Sequence, residues 1–436
     1  MEKREVVITG MGLVTSLGFG IEENWRNIRA LKTGVAHYPQ EGCPRAMQYY
    51  GKVEAFAYPF EIPKKLTSQM KFLNRGSTLG FAASLDAIKN SSIGFPDMNG
   101  IPPGRRALFI ATGDFTKIGY DFFYHATKEA TNGRWRDIDS AKLNTLTLNK
   151  VNPFFLLESI SNNLFSALSA LIDFKGPNTT LTSLSPCGGQ SLELAARAIR
   201  QGKADIAVSA GCGNWITEIP MYELEGLGLL SGCAAGVKSY RPFDKKRDGF
   251  IPGEGGAAIV LEERQSAQRR GAVIYGTIMG FGNAIEHAEG PAVSVPERVT
   301  MLCINEALTN SGVKIEDLAF ISPHGSGTKK GDRSELNSIA AAAGPFPAAL
   351  CALKPYTGHM AAASDIAEII FSVLGVRDSI VPATLNFNES EMEKEYPHLK
   401  FSNTHQPCHS DKFLSISYGI GGQSSAVVIR CNQQTQ

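Results

Sequence analysis

One stretch of the chain, residues 176–212, limits the fold more than any other. It reads GPNTTLTSLSPCGGQSLELAARAIRQGKADIAVSAGC. The segment TTLTSL suits a buried strand, apolar residues recur at helical spacing from about 186 to 201, and IAVSAG suits a second buried strand. Gly202 is placed to end the helix. The stretch therefore predicts a strand–helix–strand unit of an α/β fold, with Ser185 in its first turn.

Ser185 stands where the predicted strand ends and the helix begins. The first backbone N–H groups of a helix have no intrahelical acceptor, and the helix dipole is positive at that end. Nucleophiles are often presented in such turns. However, serine followed by proline is also an ordinary pair for starting a helix. The turn alone leaves a catalytic and a purely structural role open.

The composition argues against several other classes of protein. The 436 residues, 43% of them hydrophobic, suffice for one large domain or two fused halves. A formal net charge of +1 gives no indication of a nucleic-acid partner. There is no signal-peptide core and no apolar run of transmembrane length, so no membrane role is expected. The eight cysteines lack metal-ligand spacing, which predicts reduced thiols, no metal site and a cytoplasmic protein.

Other segments of the first half fit an α/β protein. The early GMG suggests dinucleotide binding, but Thr15 stands where that pattern needs its third glycine. Residues 21–31 predict an amphipathic helix, and residues 107–113 predict a buried strand. The polar and aromatic residues 114–150 indicate an insertion outside the core or a partner surface. Residues 152–172 predict one long, rather apolar helix.

The second half of the chain repeats the order of elements in the first. From about residue 273, short apolar strands again alternate with helices, including helices near 299–311 and 333–343. The segment AFISPHG would correspond to LFIATG, and the final strand pair to the strands near residue 210. We therefore divide the chain into two similar halves, residues 1–260 and residues 261–436.

Two histidines lie in similar loops of the second half. HGSGTKKGD begins at His324, after a predicted strand. LKPYTGHMAAA places Lys354 five residues before His359. A Gly-rich loop, SYGIGGQSS, follows near the C-terminus. A single histidine beside glycine is usually structural, but two such loops together with the Ser185 turn indicate a shared site.

These segments together resemble the β-ketoacyl synthases, the condensing enzymes of fatty-acid and polyketide synthesis. That family has a Gly-Pro turn, a short strand, a reactive cysteine followed by small residues, a helix and Gly-x-Ala-Asp. It also has a His-Gly-Thr-x-Thr-x-x-Gly-Asp loop and a Lys-x-x-x-Gly-His stretch. The resemblance extends from residue 6 to about 430. It implies a thiolase-like fold of five αβαβα layers with two similar halves, the first bearing the nucleophile position and the second both histidines.

The resemblance implies a role for each catalytic residue. Ser185 takes the position of the nucleophilic cysteine. His324 and His359, as neutral imidazoles, would stabilise the enolate that forms when a malonyl thioester loses carbon dioxide. Lys354 would orient a histidine loop and pair with Glu335.

The backbone N–H groups of Ser185 and Ile420 would form an oxyanion hole for acyl transfer. The other substrate- and oxyanion-binding candidates are Glu335, Thr357, Gly419 and Gly421, and Met70, Tyr356 and Ile420 are candidates for the pocket wall.

The sequence departs from the family pattern at three places. Ser185 replaces a thiol that ionises easily with a hydroxyl that needs an adjacent base, which would be His324 or His359. Ile420 replaces the phenylalanine of the family's Gly-Phe-Gly-Gly loop. Gln423 and the serine after it replace Thr-Asn. Cys187 is a weaker candidate for a displaced nucleophile, because it would lie one step into the helix and point elsewhere.

Two functions follow from this mixture of matches and departures. In the first, the chain handles acyl or malonyl thioesters through Ser185, by acyl transfer, slow condensation or malonyl decarboxylation. In the second, it is a non-catalytic subunit of the chain-length-factor type. The retained His324, His359 and Lys354 favour the enzyme.

The resemblance also implies partners. No cofactor is expected to be bound, because the substrates are attached to the phosphopantetheine of an acyl carrier protein. Basic residues such as Lys64, Lys65 and Arg200 would attract that acidic carrier. The chain is expected to form a homodimer, or a heterodimer with a cysteine-bearing ketosynthase.

Overall fold

A computed structural model of the chain describes residues 4–113, 120–158, 160, 162–288, 294–388 and 395–432. The strands are β1 (Val6–Thr15), β2 (Gly18–Phe19), β3 (Val35–His37), β4 (Tyr49–Gly51), β5 (Arg106–Thr112), β6 (Asn178–Thr182), β7 (Ile206–Asn214), β8 (Glu254–Glu263), β9 (Gly276–Ile285), β10 (Phe320–Ser322), β11 (Ala348–Leu350), β12 (Ile380–Val381), β13 (Leu399–Phe401), β14 (Gln406–Pro407), β15 (Lys412–Tyr418) and β16 (Gln423–Cys431).

The helices are α1 (Gly20–Arg29), α2 (Lys64–Met70), α3 (Arg75–Asn90), α4 (Tyr120–Ala130), α5 (Ser140–Lys150), α6 (Phe155–Glu158), α7 (Asn163–Ile172), α8 (Cys187–Arg200), α9 (Glu218–Gly226), α10 (Arg264–Arg269), α11 (Met301–Ser311), α12 (Lys329–Ala343), α13 (Lys354–Thr357) and α14 (Ala362–Arg377).

Two sets of five strands have the same order and orientation. In the first set, β6-β5-β7-β8-β1, β5 is parallel to β6 and β7, whereas β8 is antiparallel to β7 and β1. In the second set, β11-β10-β15-β16-β9, β10 is parallel to β11 and β15, whereas β16 is antiparallel to β15 and β9. The sets meet edge to edge through β1 and β9. This topology confirms two similar halves. The proposed division after residue 260 falls near the end of β8 and stays a proposal.

Three layers of helices alternate with the two sets of strands, so the fold has five layers. On the outside of the first set, α3 and α7 pack against β5, β7 and β8. Between the two sets lie α8 and α14, which contact each other and strands of both halves. On the outside of the second set lie α11 and α12. The αβαβα arrangement confirms the expected thiolase-like fold. It also explains the continuous apolar runs of β7 and β8, which have helices on both faces.

Local patterns predicted several elements well. The helix α1 has Trp25 and Ile28 on its buried side, as its apolar spacing predicts. Gly202 follows α8 with φ +67°, a left-handed conformation that glycine adopts without strain. No helix within the described residues combines the length and the apolar character needed to cross a membrane.

Two predictions about local structure are wrong. The segment TTLTSL is not a buried strand, because β6 lies at the edge of the sheet and is only partly covered. Residues 152–172 do not form one long helix, since their described residues form α6 and α7 instead. The sequence at their junction, ESISNN, is rich in serine and asparagine, which compete with helical hydrogen bonding.

The segment predicted as an insertion, residues 114–150, is partly described. Its residues 120–150 include α4 and α5, which pack on each other, and α5 buries none of its residues. Residues 114–119 lie outside the described residues. The helix α5 therefore lies outside the core, as the sequence predicts, whereas α4 buries Ala126 and Ala130.

Candidate active site

Ser185 lies in the turn between β6 and α8, three residues after the strand ends and two before the helix begins. Its side chain is buried. The C-terminal loop closes against this turn at Gly419, where an added Cβ would lie 2.0 Å from the Ser185 carbonyl oxygen. Only glycine fits at such a distance. The loop between β15 and β16 is thereby held against the nucleophile position.

The hydroxyl of Ser185 donates a hydrogen bond to a carboxylate that the sequence analysis did not include. Ser185 Oγ lies 2.7 Å from Asp365 Oδ1 on α14, and the Gly188 N–H donates to Asp365 Oδ2 at 3.0 Å. A Cβ on Gly188 would lie 2.5 Å from the Ala362 carbonyl oxygen. Glycine at this position therefore allows α8 and α14 to approach closely enough for Asp365 to reach Ser185.

The first histidine loop is held by a buried carboxylate. His324 follows β10, and Glu335 on α12 accepts hydrogen bonds from the backbone N–H groups of His324 at 2.6 Å and Gly325 at 2.9 Å. Both histidine and glutamate are buried. Glu335 therefore positions the loop.

Lys354 has a different partner from the expected one. Its Nζ donates to the Glu368 carboxylate at 2.9 and 3.0 Å and to the His324 carbonyl oxygen at 2.6 Å. The expected pair of Lys354 with Glu335 is therefore wrong, because Glu335 serves the loop backbone and Glu368 faces the ammonium from α14. All of these groups are buried. The predicted orienting role fits the contact with the histidine loop.

His359 lies in an aromatic cage. Its ring centroid is 4.6 Å from that of Trp215, 5.0 Å from that of Phe250 and 5.2 Å from that of His324. The Ala361 N–H donates to His359 Nδ1 at 3.2 Å. In the neutral ring, the proton is therefore on Nε2, which can donate to a substrate oxygen.

These groups surround a cavity of about 60 Å³. Ser185, both histidines, Gly419 and Ile420 line it, and Ile420 is 43% exposed. The lining residues that the sequence analysis missed are Leu184, Trp215, Leu224, Leu229, Phe250, Val295, Ser326, Thr328 and Tyr418.

The remaining candidates do not line the cavity. Lys354 and Glu335 lie behind the histidine loops. Thr357 Oγ1 donates to the Gly358 carbonyl oxygen. Gly421, Met70 and Tyr356 are also absent from the lining. Of the expected pocket wall, only Ile420 is in place.

Burial sets the protonation of the site. It lowers the pKa of His324 and His359 well below the usual value, and the positive charge of Lys354 lowers it further. Both imidazoles are therefore neutral near pH 7. Burial raises the pKa of Asp365 to about 6, although Lys354 and the hydrogen bonds from Ser185 and Gly188 act in the opposite direction. Asp365 is therefore mostly ionised at neutral pH.

Cys187 is not placed to replace the nucleophile. Its thiol is buried and donates to the Ser183 carbonyl oxygen at 3.1 Å. Burial and the charge of Asp365 raise the pKa of the thiol far above its usual value. A thiolate is therefore disfavoured at Cys187, in agreement with the expectation that it points elsewhere.

The two backbone N–H groups expected to form an oxyanion hole make no backbone hydrogen bond within the described part of the chain. Neither Ser185 nor Ile420 donates its backbone N–H to an acceptor among the described residues. Within that same part of the chain, no group of three or more histidine, cysteine or acidic side chains is arranged to bind a metal ion.

The sequence contains a signal for the missed carboxylates. Asp365 and Glu368 are the acidic residues of HMAAASDIAEII, and their spacing of three places both on one face of α14. Ionisable residues in such an apolar helix need partners. Here the partners are Ser185 and Lys354.

Comparisons with known proteins agree with this geometry. The profile of the β-ketoacyl synthase N-terminal domain matches residues 3–267, and that of the C-terminal domain matches residues 275–388. A 3-oxoacyl-[acyl-carrier-protein] synthase 2 of Coxiella burnetii is 29% identical over 447 residues, covering 98% of this chain and 99% of the relative. The protein of the same name from Vibrio cholerae is 28% identical over 399 residues, 90% of each chain.

Solved structures share the fold. The structure of a type II PKS acyl-carrier protein in complex with its ketosynthase matches with a TM-score of 0.82 and 24% identity, covering 99% of this chain and 100% of that one. The ishigamide ketosynthase/chain length factor matches with a TM-score of 0.80 and 23% identity over the same shares. At these identities the matches establish the fold alone.

Proposed function

The chain belongs to the β-ketoacyl synthase family, and we propose that it handles acyl or malonyl thioesters attached to acyl carrier protein, with Ser185 as the acyl acceptor. The main support is one observation. Ser185, His324 and His359 line the same cavity. The relatives named 3-oxoacyl-[acyl-carrier-protein] synthase 2 support the substrate class.

The proposed reaction assigns one task to each group. Ser185 Oγ attacks the thioester carbonyl, and the N–H groups of Ser185 and Ile420 stabilise the oxyanion. The neutral His359 donates from Nε2 to the thioester oxygen of a malonyl group, which favours loss of carbon dioxide. His324 lies beside it and supports the same step. Lys354 holds the His324 loop through the backbone.

The cavity favours a small acyl group. Its volume of about 60 Å³ is far below the roughly 300–1,000 Å³ of typical ligand pockets. Leu224, Leu229 and Phe250 give it an apolar wall. We therefore propose acyl transfer or decarboxylation of a malonyl or other short group as the preferred reaction, with condensation slower.

A second candidate function is a non-catalytic subunit of the chain-length-factor type. Two exposed surfaces favour a partner chain, namely the partly covered edge strand β6 and a group of exposed apolar side chains. The latter are Trp135, Ile138, Leu148, Phe154, Leu157 and Ile160. We propose a homodimer or a heterodimer with a cysteine-bearing ketosynthase, and light scattering at micromolar concentration distinguishes either from a monomer.

Carrier docking is proposed at the basic residues of α2. Lys64 and Lys65 begin this helix and are exposed. Arg200 is withdrawn from the proposal, because it ends α8 and donates to the Ile278 carbonyl oxygen. The 14 residues of α8 put Arg200 about 20 Å from the Ser185 end.

Intact-mass spectrometry tests the proposed function. The full chain is incubated with malonyl and short acyl carrier proteins, and carbon dioxide release is followed in parallel. We expect an acyl adduct that is lost in Ser185→Ala, and a release of carbon dioxide that is weakened in His324→Ala. If this chain alone takes no adduct and releases no carbon dioxide, and still takes no adduct beside a cysteine-bearing ketosynthase, the non-catalytic subunit remains as the function.

A further inference from the structure

The hydrogen bond from Ser185 to Asp365 raises a question about proton transfer. A serine hydroxyl is a weak nucleophile unless an adjacent base takes its proton. The sequence offers His324 and His359 as bases. In the structure, however, the acceptor of the Ser185 proton is neither imidazole but the Asp365 carboxylate, at 2.7 Å.

The imidazoles are poorly placed for this task. His359 accepts the Ala361 N–H at Nδ1, so its other nitrogen bears the proton and can only donate. His324 has no hydrogen bond to Ser185, and its Nδ1 has no partner within the described part of the chain. Burial and Lys354 also make both rings weak bases. The enolate-stabilising role and the base role therefore fall on different groups.

Asp365 is held as an ionised acceptor. The Gly188 N–H in the first turn of α8 donates to Asp365 Oδ2, and the helix dipole is positive at that end. The positive charge of Lys354 favours the carboxylate as well. Asp365 Oδ1 is thereby left to accept from Ser185.

We infer that Asp365 is the general base of Ser185, with an acyl or malonyl thioester as the substrate class. Ser185 Oγ forms a bond to the thioester carbonyl carbon while its proton moves to Asp365 Oδ1. When the tetrahedral intermediate collapses, the carbon–sulfur bond breaks and the departing thiolate takes that proton. The products are an acyl-serine ester and a free thiol, and the Asp365 carboxylate is restored.

Only the substrate class rests on the proposed function. The activation of Ser185 by Asp365 is a property of the two side chains, so a serine-directed reagent can measure it without any carrier protein. The two proposals can therefore fail separately.

The test uses a small methyl fluorophosphonate on the full chain, with mass-spectrometric identification of the labelled residue. We expect labelling of Ser185 in the unmodified protein and none in Ser185→Ala. Asp365→Asn should slow labelling by roughly 10²–10⁴-fold, the usual contribution of a general base. The matched control is Ser372→Ala, which removes a buried hydroxyl with no partner among the described residues on the same helix. It should label at the unmodified rate.

A second variant tests the same inference if Asp365→Asn does not fold. Asp365→Ala leaves space for a small carboxylate, and added formate should restore labelling there without accelerating the unmodified protein. Unmodified labelling in Asp365→Asn, a formate-insensitive Asp365→Ala protein or an unlabelled Ser185 would each overturn the inference. If the unmodified protein is labelled by the fluorophosphonate but takes no acyl adduct from carrier protein, the proposed function is contradicted, whereas the role of Asp365 as the base of Ser185 is supported.

Discussion

The two central helices, α8 and α14, occupy equivalent places in the two halves but contribute different chemistry. The helix α8 follows β6, α14 follows β11 after the short helix α13, and the two lie side by side in the middle layer. The helix α8 contributes to the site through its N-terminal turn, which holds Ser185 and the Gly188 N–H. The helix α14 contributes through two side chains, Asp365 and Glu368. Every residue of this helix except Arg377 is buried.

The difference shows that the two similar halves contribute different kinds of groups to the site. The first half supplies a hydroxyl and the positive end of a helix, neither of which requires a buried charge. The second half supplies Lys354, Glu368 and Asp365, whose charges are buried and must be compensated within the site. In the proposed active site, carboxylates of one half therefore meet the backbone and the proposed nucleophile of the other half.

The largest effect is expected from breaking the buried charge pair. Lys354→Met leaves Glu368 buried without its partner, which should lower the free energy of unfolding by about 3–5 kcal/mol. Lys354→Met combined with Glu368→Met should recover part of that loss. Urea unfolding monitored by circular dichroism measures both.

The control for this prediction is an exposed pair. Lys128, on α4, lies 3.5 Å from Glu218 and its side chain is 47% exposed. Lys128→Met should change the free energy of unfolding by less than about 1 kcal/mol. If Lys354→Met and Lys128→Met lower the free energy of unfolding equally, the ion pair of Lys354 with Glu368 does not stabilise the second half more than an exposed pair does.

A smaller effect is expected from pH. Burial raises the pKa of Asp365 to about 6, and a base acts in its deprotonated form. The rate of Ser185 labelling should therefore fall about tenfold between pH 7 and pH 5, rather than near pH 4 as for an ordinary aspartate. Stopped-flow labelling with the fluorophosphonate measures this profile.

Three other titratable groups face Asp365, and the same pH experiment controls for them. They are Lys354 from α13, Glu368 from α14 and the Cys187 thiol from α8. The Asp365→Asn protein retains all three. A decrease near pH 6 that persists in this variant would assign the titration to Glu368, whose pKa burial raises to about 7, and not to Asp365.

The sequence predicted the parts of the site that depend on local signals. Turns with glycine and proline located Ser185, His324 and His359, because such residues mark turns whatever surrounds them. The repeated order of elements likewise predicted the two halves. The topology bears this out.

What the sequence did not predict depends on packing between distant segments. An acidic residue in the first turn of a helix is favoured by the dipole alone, so Asp365 has an ordinary local explanation. Its contact with Ser185 joins residues 180 positions apart. Glu335 and Glu368 are both plausible partners of Lys354 in the sequence, and only the packing of α14 selects Glu368. The burial of β6 likewise depends on its neighbours in the sheet, not on its own residues.

The central claim is that Asp365 serves an oxygen nucleophile, and exchanging the nucleophile tests it most directly. A thiol reacts as its thiolate, which an adjacent carboxylate disfavours. Ser185→Cys should therefore acylate weakly while Asp365 is present, although the histidines and Lys354 are in place.

The decisive measurement is the acylation rate of the four proteins that combine Ser185→Cys and Asp365→Asn, with a short acyl thioester. In the serine protein, Asp365→Asn should slow acylation by about 10²-fold or more. In the Ser185→Cys protein, the same substitution should accelerate acylation about tenfold, since a pKa lower by about one gives ten times more thiolate. Effects of the same sign in both backgrounds would contradict the assignment of Asp365 as the base of Ser185.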